Sequence, residues 1–155
     1  FLQSLKMNWI YKNKEITSKD DFSEDTYGFI YKITHIPSKK SYLGKKVLIH
    51  NKKTKLTKKD LLMYEGMKGR KPTYKILQKE SDWKSYYGSN KPLLELIQKE
   101  PLENFKREIL ILSTTKKLLT YYETQALFTY RVLEEEDTWF NDNILGKFFR
   151  KDFDT

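Results

Sequence analysis

The sequence predicts an α+β fold, a small, mainly antiparallel, three-stranded central sheet flanked by helices. Three observations predict it. Two β-rich segments, 29–34 (FIYKIT) and 41–49 (SYLGKKVLI), are joined by the short turn His35-Ile36-Pro37-Ser38-Lys39-Lys40, which draws a hairpin. A third run, 105–112 (FKREILIL), begins alternating and ends wholly apolar, as a partly buried strand does. Helical patterns flank that run, with Leu93, Leu94, Leu96 and Ile97 before it and Leu118, Leu119, Tyr122, Gln125, Ala126 and Tyr130 after it.

Taken in order, 7–16 (MNWIYKNKEI) reads as a strand or an irregular arm, and 17–26 as a linker or a capped helical turn. In 29–34, Phe29, Tyr31 and Ile33 share one face, and Ile30, Lys32 and Thr34 the other. The second strand carries Gly44, a residue that weakens strands and often marks close approach of a ligand or another backbone. A basic run follows at 51–59, then a short helix within 56–63 with Thr57 as N-cap. The stretch Gly66-Met67-Lys68-Gly69-Arg70-Lys71-Pro72 is a loop, and 73–78 (TYKILQ) a short strand. Ser89 or Asn90 starts the next helix, with Pro92 in its first turn. Ser113 or Thr114 is expected to cap the last one, and 137–144 (DTWFNDNI) is a polar, aromatic return.

The chain has 155 residues, 30 Lys/Arg against 21 Asp/Glu, and a net charge of +9. Its mean hydropathy is -0.76. Residues 45–80 alone hold 12 Lys/Arg against 3 Asp/Glu, so this insert carries the whole surplus. Such a concentration fits a polyanion partner better than a membrane surface, because the segment lacks a strong apolar face. With no cysteine, disulfides and thiolate metal sites are excluded. No apolar run spans a membrane and no signal peptide is visible, so the expected location is the cytoplasm, that of a bacterial host if the chain is phage-encoded. Met7 reads as the natural start, with residues 1–6 foreign to it.

Tyr31 and Tyr42, one on each hairpin arm, could orient or deprotonate a water, with Lys45 and Lys46 supplying positive charge. A strand tyrosine taken alone is more often packing. Glu123 is the candidate metal ligand, a lone carboxylate in the apolar stretch 118–127 that needs a partner unless it faces solvent. Magnesium, or manganese in its place, suits a site with one or two carboxylates. His50 is a general base or a surface histidine, and His35 is structural or solvent-facing. Trp83, Tyr86 and Tyr87 stack on bases or staple elements together.

The set Gly28-Phe29-Ile30-Tyr31, Tyr42-Leu43-Gly44, Glu123 and Asn141 resembles the GIY-YIG nuclease family over residues 27–145. The text around Tyr87-Gly88-Ser89 and Glu108-Ile109-Leu110 is similar to phage-type, homing-endonuclease-like members. The resemblance implies a metal-dependent DNA endonuclease with Tyr31, Tyr42 and Glu123 in catalysis, Glu123 holding the metal, and Asn141 lining the site. One departure stands out: where the family has an arginine about ten residues after the second tyrosine, this chain has Lys52. Lysine does not reproduce the bidentate phosphate contact of arginine. Lys45, Lys46 or Lys52 then serves as a point charge, or Arg70 folds back from its loop.

The expected organisation is an arm at 1–26, a nuclease domain at 27–145 with the basic insert at 45–80, and a basic aromatic tail at 146–155. Double-stranded DNA is the expected partner, contacted through Gly44, Lys52, Lys53, Lys55, Lys58, Lys59 and Lys71. Long-site specificity would come from the insert, the arms or a homodimer. The competing reading is a nucleic-acid-binding module on the same fold that does not cut.

Overall fold

The computed structural model describes residues 7–154, so the expectation about residues 1–6 lies outside the described residues. In chain order the elements are β1 (Trp9–Tyr11), β2 (Lys14–Ile16), β3 (Gly28–His35), β4 (Lys40–Val47), β5 (Ile49–Lys55), α1 (Lys58–Leu62), β6 (Tyr74–Glu80), α2 (Lys91–Lys99), β7 (Phe105–Ser113), α3 (Lys116–Thr129), β8 (Asn143–Ile144) and β9 (Phe148–Phe149). They fall into two units, one built from residues outside the insert and the other from Ile49–Ser81.

The first unit is α+β as expected, but its sheet is five-stranded and mixed, in the order β2-β1-β7-β3-β4, and not three-stranded and antiparallel. The difference comes from the supposed arm. Trp9–Tyr11 pairs parallel with β7, and Lys14–Ile16 turns back antiparallel on it through Lys12 and Asn13, both at positive φ. Three residues are too few for alternation to announce a strand, yet they bury Trp9 and Ile16. After them, Ser18 caps a single 3-10 turn with Asp21 in a capping box, so 17–26 holds the capped turn.

The tyrosine hairpin is formed as expected, with Tyr31 opposite Gly44 and Ile33 opposite Tyr42. Its two faces have different cores. On one, Trp9, Phe29, Tyr31 and Trp83 pack edge to face, with Trp9 and Phe29 centroids 5.0 Å apart, and Phe22 stacks on Phe29. On the other, Ile30 and Leu43 meet Leu119, Ala126 and Leu127 of α3. The cap of α3 is Thr115, one residue beyond the expected Thr114, while Asn90 caps α2 through Leu93 N–H at 3.0 Å.

β4 ends the sheet, and the return segment covers its outer edge. Ser41 pairs in parallel with Trp139, donates from its N–H to Thr138 O, and accepts from Phe140 N–H at 2.7 Å. The basic aromatic tail is also tied down. Arg150 donates to the carbonyls of Val132, Leu133 and Trp139, closing the chain over the end of α3.

The second unit is an antiparallel ribbon, β5 against β6 from Ile49↔Glu80 to Lys55↔Tyr74, with α1 in the connection. Thr57 caps α1 as expected, in a capping box with Asp60, which also pairs with Lys75 at 2.7 Å. The Gly66 to Lys71 stretch is a loop, with Gly66 and Gly69 at positive φ. The ribbon begins after Leu48, because β4 keeps Lys45 and Lys46 in the first unit.

Candidate active site

Strand alternation decides where the hairpin residues go. Tyr31, Tyr42 and Lys46 project to the aromatic face, whereas Lys45 projects to the α3 face beside Ile30. Adjacent in sequence, the two lysines therefore point to opposite faces of the sheet. Lys46 pairs with Asp82 at 2.5 Å and lies 4.0 Å from the Tyr86 ring centroid. Lys45 donates to Thr120 Oγ1 at 3.0 Å and stands 3.9 Å from Glu123 on α3.

Because β4 is the sheet's edge, side chains from its two faces can meet around it. They do so at a pocket of about 420 Å³ lined by Tyr42, Ser89, Asn90, Lys91, Glu123, Asn141 and Asp142, among others. Tyr42 reaches it from the aromatic face and Glu123 from the helical face. Ser89, Asn90 and Lys91 bring the N-terminus of α2, the positive end of its dipole.

Tyr31 lies behind this pocket. It is 1% exposed, its ring centroid is 6.3 Å from that of Tyr42 and 5.8 Å from that of Tyr86. Gly44 explains how it fits. A Cβ on Gly44 would come within 2.5 Å of the Tyr31 hydroxyl, so the glycine makes room for the phenol of the neighbouring strand. The close approach expected at Gly44 is thus an internal one. Gly88, at φ +89, turns the chain across both tyrosines.

Burial pushes the Tyr31 hydroxyl well above the usual phenol range, and the neighbouring Tyr86 and Tyr42 push the same way. Tyr42 is also raised, again chiefly by burial, with the hydrogen bond to Ser89 at 3.5 Å opposing it. Neither phenol is a ready base at neutral pH; both are hydrogen-bonding groups there. Burial also raises Glu123, and Lys45 only partly offsets it. With a side chain 17% exposed, Glu123 is an incompletely compensated carboxylate facing a polar pocket.

That is the observation that tests a metal site. A hard divalent cation would satisfy this oxygen donor, and the pocket has room for the waters it retains. The described residues hold no group of three or more His, Asp or Glu able to ligate an ion. The fit is therefore to an ion such as magnesium or manganese held by Glu123, with Asp142 the other carboxylate of the pocket, and not to a closed protein cage.

Asn141 lines the pocket, but its amide is already engaged. Its Oδ1 accepts from Leu43 N–H at 3.0 Å and its Nδ2 donates to Leu43 O at 2.8 Å. It fixes the backbone between Tyr42 and Gly44 while lining the site, as the resemblance implies. Arg70, Lys52, Lys53, Lys55, Lys58, Lys59 and Lys71 all belong to the second unit. His50 is exposed on β5, while His35 is buried between Ser38 at 2.7 Å and Glu100 at 2.8 Å, a structural role.

Sequence reasoning misses Arg107. It is 2% exposed on β7, sandwiched between the rings of Trp9 and Tyr87, with its pKa lowered by burial to about 10. It donates to the carbonyls of Lys84 and Tyr86 at 2.9 Å each and to that of Met7. Arg107 thereby holds the segment that presents Tyr86, Gly88 and Ser89 to the hairpin. The only available signal is a cation on the same strand face as Phe105 and Ile109.

A family model described as "Putative endonuclease segE, GIY-YIG domain" matches residues 9–144. No curated protein and no solved structure matches the chain. The matched span runs from β1 through β8 and includes the hairpin, α3 and the return over β4. The chain belongs to the GIY-YIG nuclease family.

Proposed function

We propose that this protein is a divalent-metal-dependent endonuclease that hydrolyses phosphodiester bonds of double-stranded DNA at the β4 edge. The observation that carries the reading is the convergence of a desolvated carboxylate, Glu123, and a phenol, Tyr42, on one polar pocket. Glu123 holds magnesium or manganese, and the bound ion supplies positive charge against the charge that develops on the phosphate. Tyr42, neutral at pH 7, hydrogen-bonds and orients the attacking water. Tyr31 supports the Tyr42 ring from behind and acts through it. Lys45, beside Glu123, takes the electrostatic part that an arginine plays elsewhere in the family, as a point charge without the bidentate fork. Asn141 and Gly44 keep the strand in register beneath these groups.

The test is nicking of supercoiled plasmid with magnesium or with EDTA. Glu123→Gln should still bind DNA and lose nicking. Tyr42→Phe should slow nicking on the order of a hundredfold with an unchanged melting temperature. Tyr31→Phe should slow it less while lowering stability by about 1 kcal/mol, because a buried hydroxyl is removed from its partner. Undiminished nicking by Glu123→Gln would end the assignment. Binding without nicking in every metal would favour the non-cutting module.

A further inference from the structure

The second unit has one face that nothing in that unit uses. Register places Asn51, Lys53 and Lys55 of β5 on the same side as Gln78, Ile76 and Tyr74 of β6. All six are exposed, Ile76 to 64% and Tyr74 to 59%. The opposite side carries Thr54, whose hydroxyl is buried, and Lys75, which pairs with Asp60 of α1. A ribbon with one side bound to its own helix and the other side bearing large apolar groups among lysines has an unfilled face.

Charge decides the occupant. Residues 49–81 hold ten Lys/Arg and three Asp/Glu, a surplus of seven in 33 residues, against a surplus of two in the rest of the chain. The face combines cations with amides and apolar groups in register. Asn51 stands opposite Gln78, Lys53 opposite Ile76, and Lys55 opposite Tyr74. Phosphate alone would need only the lysines. Asn and Gln match the paired donor and acceptor of adenine in the major groove, Lys matches guanine, and an apolar group meets the thymine methyl. Size agrees as well: two strands about 4.8 Å apart fit a groove about 12 Å wide.

We infer that the β5–β6 ribbon enters the major groove of duplex DNA and reads bases with its Asn51–Lys55 and Tyr74–Gln78 face. This rests on the reading of DNA as substrate, but it assigns recognition to the ribbon, apart from the cutting site on β4. Asn51 and Gln78 read adenine; Lys53 and Lys55 contribute charge; Ile76 and Tyr74 meet thymine methyls.

The experiment uses the full chain in EDTA, so that binding is measured without cleavage. Methyl green, which occupies the major groove, should compete with the protein for duplex DNA, and netropsin, which occupies the minor groove, should not. Sites are then selected from random duplexes. Asn51→Ala with Gln78→Ala should reduce the preference at adenine positions about tenfold or more. Lys53→Gln with Lys55→Gln should flatten the log-affinity against log-salt slope by about 2. Both pairs are solvent-exposed, so circular dichroism and melting should match the wild type. Competition by netropsin alone overturns the inference, as does an unchanged base preference or equal binding to A-form RNA duplex, whose deep, narrow major groove excludes a ribbon. If Glu123→Gln nicks normally, the cutting site is misassigned while the ribbon result stands; if ribbon variants bind like wild type and nicking follows Glu123, only the ribbon assignment fails.

Discussion

The two units differ most in what holds them. The first is built around wholly buried rings, with Phe29, Trp83 and Phe105 at 0% exposure. In Ile49–Ser81 no residue is buried at all. The insert is held by a ladder, a capping box and an ion pair, and a two-stranded ribbon of that kind is marginal by itself. A core fixes catalytic geometry to fractions of an ångström. A ribbon without a core can adapt to what it touches, and it tolerates a surface that would be costly in a packed domain.

The comparison breaks if truncation hurts both units alike. Trp83→Ala should destabilise the protein by about 3–5 kcal/mol, whereas Tyr74→Ala, also the loss of an aromatic ring, should stay within about 0.5 kcal/mol. Denaturant unfolding measures both, and a cost for Tyr74→Ala near that of Trp83→Ala would mean the insert has a core after all.

Two carboxylates sharpen the contrast through pH. Asp60 in the insert is held down to about 2, first by its hydrogen bond with Lys75 and then by Thr57. A depressed acid stabilises only when ionised, so its contribution is present above about pH 4 and fades as pH falls toward 2. Hydrogen-exchange protection across Ile49–Ser81, taken relative to the intrinsic rate at each pH, should fall over that window before the first unit responds, and Asp60→Asn should abolish the dependence. Protection that falls equally in both units would show one cooperative structure.

Glu123 has the opposite sign and the smaller effect. Its pKa is raised, chiefly by burial, so its ionised form opposes folding, and stability declines as pH rises from the ordinary glutamate range through the raised value. In EDTA, Glu123→Gln should therefore gain on the wild type across that rise, and magnesium should give the stability back to the wild type alone. A gap that shrinks with rising pH would refute the desolvated site.

How much of this is legible in sequence depends on the length of each element and the span of each contact. β3, β4 and β7 run eight or nine residues, enough for alternation to register, and α3 shows Glu123 against apolar neighbours. β1 and β2, three residues each, give no period, so the sheet reads as three strands and not five. Thr57 and Asn90 are readable because a cap acts within three residues. Asn141 is visible only as a family position, since its partner, Leu43, is 98 residues away. Arg107 escapes notice because all three of its acceptors are backbone carbonyls, which leave no trace in residue identity. The opposed directions of Lys45 and Lys46 follow from strand alternation alone.

The cover that residues 138–141 lay along β4 has a consequence beyond the pocket. A terminal strand offers a row of unpaired N–H and C=O groups to any extended peptide, including the same strand of another copy. Here Ser41 spends its groups on Thr138 and Phe140, and the Asn141 amide imitates a neighbouring strand at Leu43. The segment that shapes the proposed catalytic edge is thus also a guard against aggregation. With the return segment in place, copies cannot zip together along β4, while the pocket beside that edge stays accessible.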